Sequence, residues 1–273
     1  AWLDGDHKLA MIGVRAYPQR GSGTDFKQLA DYAPGGSIRS IDWRASLRCG
    51  KPIVREYQDE RNQRVLFLLD CGRRMRADEG SDSAEGSHFD QSLNALMLLS
   101  YVALKAGDEV GVLTFATAAG QARHHAPRKG ASSLNALMAR LYDIEPSDAH
   151  PDYLEAARAL MACQQKRALV ILLTNFRDED ATELRAALSL MRTRHLVVVA
   201  SMKEAAVRQM AEQAMGEGAD MLSIAAAHWF AQMREKAFRA AVGGDLLSLD
   251  TEPKQLPISL VNCYHAVKKS GLL

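Results

Sequence analysis

The chain has 273 residues, of which 47% are hydrophobic, with 34 Lys and Arg against 33 Asp and Glu. That is enough apolar material for one sizeable core, as one large α/β domain or as a domain with an appendage. So even a charge balance provides no global field for nucleic acid or anionic lipid.

Residues 1–63 show no α/β period and read as an irregular appendage; residues 1–64 are mildly basic, with 11 Lys and Arg against 8 Asp and Glu. Residues 64–273 form the second part. It opens with Arg64-Val-Leu-Phe-Leu-Leu-Asp70, an apolar run of the kind buried on both faces in a parallel sheet. The acid at its carboxyl end lies where open α/β sheets bind ligands. The stretch from Ala77 to Asp90 is acidic and rich in Gly and Ser, which predicts a mobile segment at that rim. A helix from Ser92 to Lys105, apolar nearly all round, should be deeply packed. Strands follow at Glu109–Phe115, Ala168–Thr174, His195–Ala200 and Asp245–Leu249, and a short run at Gln121–Ala126 suggests an antiparallel edge. Between them, Leu134, Leu137, Met138 and Leu141 recur at helical spacing, as do Leu184, Ala187, Leu188 and Met191. Asp180 and Glu183 have the spacing of a capping box. Leu222, Ala226, Trp229, Met233 and Ala237 make a stripe on a long helix ended by Gly243-Gly244. Pro257 opens a last helix carrying Leu260, Val261, Tyr264 and Val267. The alternation predicts a doubly wound, mainly parallel sheet flanked by helices.

Within the appendage, Tyr32-Ala-Pro34-Gly35-Gly36-Ser-Ile-Arg39-Ser-Ile-Asp42-Trp43-Arg44 is an unusual string, followed by Arg48, Arg55-Glu56 and Glu60-Arg61. In order and spacing it resembles the hallmark of a prokaryotic family known as domain of unknown function fifty-eight, linked to the von Willebrand factor type A superfamily. Gly36 departs from that family's usual Asp. The resemblance implies a von Willebrand factor A-like fold. It further implies the soluble part of a membrane-anchored protein, at the cytoplasmic face of the cell membrane, working with a MoxR-type AAA+ ATPase. The absence of an initial Met and of a signal pattern reads as a piece of something longer. Read from the residues alone, Pro34-Gly35 is turn chemistry, Asp42 is an Asx-turn or N-cap acceptor, and Trp43 is an apolar anchor with one donor. Arg39, Arg44, Arg48 and Arg55 with Asp42, Glu56 and Glu60 form either a structural ionic lattice or a docking surface; the two are compatible.

The segment Asp70-Cys-Gly72-Arg-Arg74 resembles the first metal-binding motif of type A domains, Asp-x-Ser-x-Ser, with both serines gone. The resemblance places the second loop at His150-Pro151-Asp152-Tyr153, with Pro for the expected Thr, and the third at Thr174-Asn175-Phe176, with Asn for Asp. A hard divalent cation needs anionic oxygens, and Arg74 adds repulsion, so no metal is expected. Arg74 is expected either to pair with Asp70 or Asp152 or to point into solvent while Asp70 caps the next turn. The rim is thus Asp70, Gly72, Arg74, Asp152 and Asn175.

Other chemistry finds little support. There is no phosphate loop, dinucleotide fingerprint or Gly-x-Ser-x-Gly elbow, so no cofactor is expected. His124 and His125, adjacent on a strand, point to opposite faces. Cys71 beside two arginines invites a reactive-thiol reading but lacks a His base. The four dispersed cysteines suggest free thiols in a reducing compartment, and the methionines from Met191 to Met233 read as core filling. The leading expectation is a non-enzymatic protein-interaction module. The alternatives are a metal-dependent adhesion domain and a hydrolase using Asp70, Asp152 and Cys71.

Overall fold

The computed structural model describes residues 25–32, 41–58, 63–77, 86–204, 207, 210, 221–243 and 247–272. The chain divides into two units, Tyr17–Asn62 and one containing Gln63–Leu273.

In the small unit, β1 (Asp25–Asp31) and β2 (Ile53–Gln58) pair antiparallel, with α1 (Trp43–Cys49) between them in sequence. Asp42 caps α1 by accepting from the N–H groups of Arg44 (3.0 Å) and Ala45 (3.1 Å). Gly50 ends it at φ +66°, the left-handed conformation that favours glycine. The segment is more regular than its sequence suggests, because one hairpin-like pair is too short to generate a long apolar period.

The larger unit holds a six-stranded sheet in the order β5-β4-β3-β6-β7-β8. Its strands are β3 (Arg64–Asp70), β4 (Glu109–Phe115), β5 (His124–Arg128), β6 (Leu169–Thr174), β7 (Leu196–Met202) and β8 (Leu247–Thr251). All neighbours are parallel except β5, which runs antiparallel to β4. Side chains alternate along β3. Val65, Phe67 and Leu69 face a core shared with α2 (His88–Lys105), α3 (Ala131–Leu141) and α7 (Leu256–Ser270). Leu66 and Leu68 face the opposite core, shared with α4 (Tyr153–Cys163), α5 (Ala181–Arg192) and α6 (Met221–Val242). Both faces of the sheet are covered, which is why the strands read as unbroken apolar runs.

Several expectations shift. α2 starts at His88 rather than Ser92, because Ser87 and Asp90 form a reciprocal capping box at the end of the supposedly mobile stretch; residues 78–85 of that stretch lie outside the described residues. The stripe predicted on α6 mostly faces solvent: Leu222 is 77% and Trp229 65% exposed, while Ala237 packs against the core and Ile224, Ala227, Arg234 and Phe238 turn inward. Met191 and Met202 are core, but Met210, Met221 and Met233 are exposed and Met215 lies outside the described residues. His125 is buried and His124 exposed, as alternation requires.

Candidate functional site

β3 and β6, side by side at the centre of the sheet, bring Asp70 and Thr174 to their shared carboxyl ends. Asp70 has no exposed surface. Its Oδ1 accepts from the Gly72 N–H (2.8 Å) and its Oδ2 from the Thr174 hydroxyl (2.7 Å). The Thr174 oxygen lies 2.8 Å from the hydroxyl of Tyr153, itself buried, so a short polar chain runs Tyr153–Thr174–Asp70. Burial pushes the Asp70 carboxyl up to about 6, against the opposing effects of Thr174, the Gly72 N–H and the nearby Arg74 charge. Burial likewise pushes the Tyr153 hydroxyl up.

The loop before α4 closes over this acid. Arg73 N–H donates to the Ala149 carbonyl (3.0 Å), Ser147 N–H to the Cys71 carbonyl (2.6 Å), and the Ser147 hydroxyl to the Ala116 carbonyl (2.6 Å). Gly72 makes this possible by lacking a side chain: a Cβ there would stand 2.8 Å from the Ala149 oxygen and 3.1 Å from Asp70 Oδ1. The glycine is required by close approach, its φ of −79° being open to any residue.

Arg74 is buried, 9% exposed. Its fork pairs with Asp180 through both terminal nitrogens, one contact measuring 3.2 Å, and with Glu179. His150 Nε2 lies 3.4 Å from the guanidinium and 3.6 Å from Asp180 Oδ1. The ion pair expected with Asp70 or Asp152 is therefore made with other acids. Asp152 is exposed, and its Oδ1 caps α4 by accepting from Glu155 N–H (2.7 Å). Asn175 is fully buried; its Nδ2 donates to the Arg74 carbonyl (3.2 Å) and to His88 Nδ1 (3.1 Å), and its Oδ1 has no partner among the described residues. Asp70, Gly72, Arg74 and Asn175 thus come together through their contacts, while the contact the Asp152 carboxylate makes is its cap on α4.

The capping box read at Asp180 and Glu183 is absent. Asp180 makes no side-chain cap because its carboxylate is held by Arg74. Glu183 caps a different helix, accepting from Tyr153 N–H (2.5 Å) and Leu154 N–H (3.2 Å). A charge-assisted partner outcompetes the local backbone. Thr174, Tyr153, Glu179 and Asp180 were missing from the sequence-derived rim. The resemblance places Tyr153 and Thr174 in the second and third loops without a role, and the sequence signal for Glu179 and Asp180 is the acidic triplet Asp178-Glu179-Asp180 that follows β6.

Of the signature residues, Asp42 acts as the anticipated cap. Trp43, expected as an anchor, is 65% exposed, and Arg44 is exposed too. Tyr32 follows β1 and donates its N–H to the Pro52 carbonyl (3.0 Å), and Arg55 and Glu56 lie on β2. Pro34, Gly35, Arg39 and Arg61 lie outside the described residues.

The donors at Asp70 do not fit a magnesium ion. Both carboxylate oxygens are engaged by protein donors, position 72 has neither a hydroxyl nor room for one, and a guanidinium stands beside them. The hydrolase reading loses its parts as well. Asp152 is turned to solvent as a cap, and burial pushes the Cys71 thiol up, away from the thiolate.

The family model described as Protein of unknown function DUF58 matches residues 28–225. The chain belongs to that family. The solved structures it is similar to include a von Willebrand factor A domain. The SpRpn10 VWA domain is 11% identical, with a TM-score of 0.44 over 73% of this chain and 93% of that one. A D319A mutant of the PilB minor pilin from Streptococcus sanguinis is 11% identical, with a TM-score of 0.48 over 81% of this chain and 66% of that one. Proximal thread matrix protein 1 from the mussel byssus, with a zinc-occupied MIDAS motif, is 10% identical, with a TM-score of 0.42 over 75% of this chain and 46% of that one. A search of the curated proteins found no match. No helix of this DUF58 chain is long and apolar enough, among the described residues, to cross a membrane.

Proposed function

We propose that this chain is a non-enzymatic protein-interaction module that presents the carboxyl-end rim of its sheet to a protein partner without using a metal. The partner we propose is a MoxR-type AAA+ ATPase, in the assembly or maturation of a larger complex. In the cell the domain works as the soluble part of a membrane-anchored protein at the cytoplasmic face. One observation carries the metal-independence: Glu179 and Asp180, acids of the turn after β6, hold the chain's own Arg74. Such a rim has its charge and shape set by covalent structure, so a partner meets the same surface whatever the cation supply. The choice of ATPase rests on the family resemblance.

The test uses the purified chain and a purified, nucleotide-free MoxR-type ATPase from the same genome, in a surface-binding assay with excess magnesium and then with EDTA. The reading expects the same affinity within about twofold in both buffers, since no term in binding depends on the ion. No binding in either buffer eliminates the ATPase as partner. Binding that vanishes in EDTA eliminates the metal-free rim.

A further inference from the structure

Three potential metal ligands converge beside the rim. One ligand atom each from His150, Glu179 and Asp180 lies within 4.8 Å of the others. They come from two separate loops, that before α4 and the turn after β6. A positive group is already seated among them: the buried guanidinium of Arg74 contacts all three side chains. Asp180 is 3% exposed and Arg74 9%, so this is a built, desolvated cation position rather than acids sharing a solvated surface.

We propose that Arg74 is a tethered cation filling a latent transition-metal site made by His150, Glu179 and Asp180. An inorganic ion of the zinc class takes that position when the guanidinium is removed. This deepens the metal-free reading given above and rests on it, since it supplies the reason for that independence. The donor set decides the ion. One imidazole with two carboxylates suits Zn²⁺ or Co²⁺, whereas Mg²⁺ prefers an all-oxygen octahedron and keeps its waters. An ion that bonds two loops stabilises their closure, because its binding free energy adds to folding free energy. In the native chain the guanidinium does that work: it joins the turn after β3 to the turn after β6 while Asn175 holds the Arg74 carbonyl. The three ligands differ in one useful respect. His150 and Glu179 are exposed and free to adjust, whereas Asp180 is fixed, so an ion can be accommodated without moving the core.

Cobalt titration with zinc competition, read by the visible spectrum and by thermal melting, tests this. Wild type, Arg74→Ala and Arg74→Ala/His150→Ala are compared. Arg74→Ala should develop a bound-cobalt spectrum that zinc abolishes, with micromolar affinity at least about 50-fold tighter than wild type. It should also regain at least about half of its lost melting temperature in zinc, through binding to the folded state alone. The double variant should do neither, and magnesium should not replace zinc. The proposal falls if Arg74→Ala binds no cobalt, if wild type binds it as tightly, or if the double variant is rescued equally. Should Arg74→Ala not fold alone, refolding with and without zinc gives the same readout, and Arg74→Met, which keeps the aliphatic stem, is the second variant. Failure here leaves EDTA-insensitive partner binding intact, so the two readings fail separately.

Discussion

Asp108 stands at the amino end of β4 and Asp70 at the carboxyl end of β3, and neither has exposed surface. Asp108 accepts from Lys268 Nζ at 2.9 Å on both oxygens, from the Tyr264 hydroxyl and from Gln63 N–H (3.2 Å). Its charge is met by a cation, and the contacts staple α7 to the start of the sheet. Asp70 accepts from one N–H and one hydroxyl, and the cation nearby, Arg74, bonds to other acids instead. The lower end is arranged for stability, with the charge of its buried acid answered by a bonded cation. The upper end keeps a buried acid without a bonded counter-ion next to a cation clamped elsewhere. Departures of that kind concentrate where a fold does its work.

The comparison breaks first at Arg74. If the guanidinium is the structural cation of the upper end, Arg74→Ala leaves Asp180 buried and unpaired, at a cost of about 3–5 kcal/mol in denaturant unfolding. A loss below about 1 kcal/mol would mean that Arg74 is as dispensable as a surface ion pair.

The same substitution at the two buried aspartates sharpens it further. The folded Asp70 carboxyl titrates near 6, above the unfolded value near 3.8, so the native state holds its proton more tightly than the unfolded state does. The stability linked to that proton is full below about 4 and is lost as pH rises through 6, on the order of 3 kcal/mol. Asp70→Asn keeps an acceptor for Gly72 and removes the titration. Relative to wild type, its stability should therefore rise between pH 4 and 6.5, leaving it equal or better at pH 7.5. Asp108→Asn removes half of a charged hydrogen-bonded pair and should lose about 1.5–3 kcal/mol at pH 7.5. Unfolding curves of both variants across pH check the signs. An Asp70→Asn variant that is less stable at pH 7.5 would mean that the fold favours the ionised acid and that burial does not hold the carboxyl above its ordinary range.

What could be read ahead of the structure follows physical locality. β3, β4 and β6 were legible because strands buried on both faces are apolar throughout. Asp70 and Asn175 were legible because they sit at or just after strand ends. α6 was misread because its inward face carries Arg234, which hydropathy sends to solvent. In the fold Arg234 is buried and donates to the Phe176 carbonyl (3.1 Å), the Ser201 hydroxyl (2.8 Å), the Met202 carbonyl (2.9 Å) and Asp250. A guanidinium so fully bonded is at home inside. Asp180 and Glu183 misled for the same reason. Their local spacing fits a cap, but their partners are 106 residues away at Arg74 and 30 away at Tyr153. The tertiary partners of the rim leave no trace in local pattern.

The smallest effect concerns Gly72, and it bears on whether this rim can be turned back into a metal site by residue swaps alone. A Ser there, paired with Arg74→Ser, Pro151→Thr and Asn175→Asp, supplies the missing oxygens on paper. The Cβ, however, would meet the Ala149 carbonyl at 2.8 Å and the Ala116 Cβ at 3.2 Å, and the first of these is backbone held by the Arg73 N–H. Gly72→Ser alone should therefore cost about 1–3 kcal/mol through overpacking, even though its φ suits any residue. The fourfold variant should still show no magnesium heat in calorimetry, because opening the loop around Ala149 uses up the binding energy the new ligands offer. Magnesium binding by that variant, with Gly72→Ser as stable as wild type, would show that the second loop yields easily. The seal over Asp70 would then be the residue choice at the rim and not the packing beneath it.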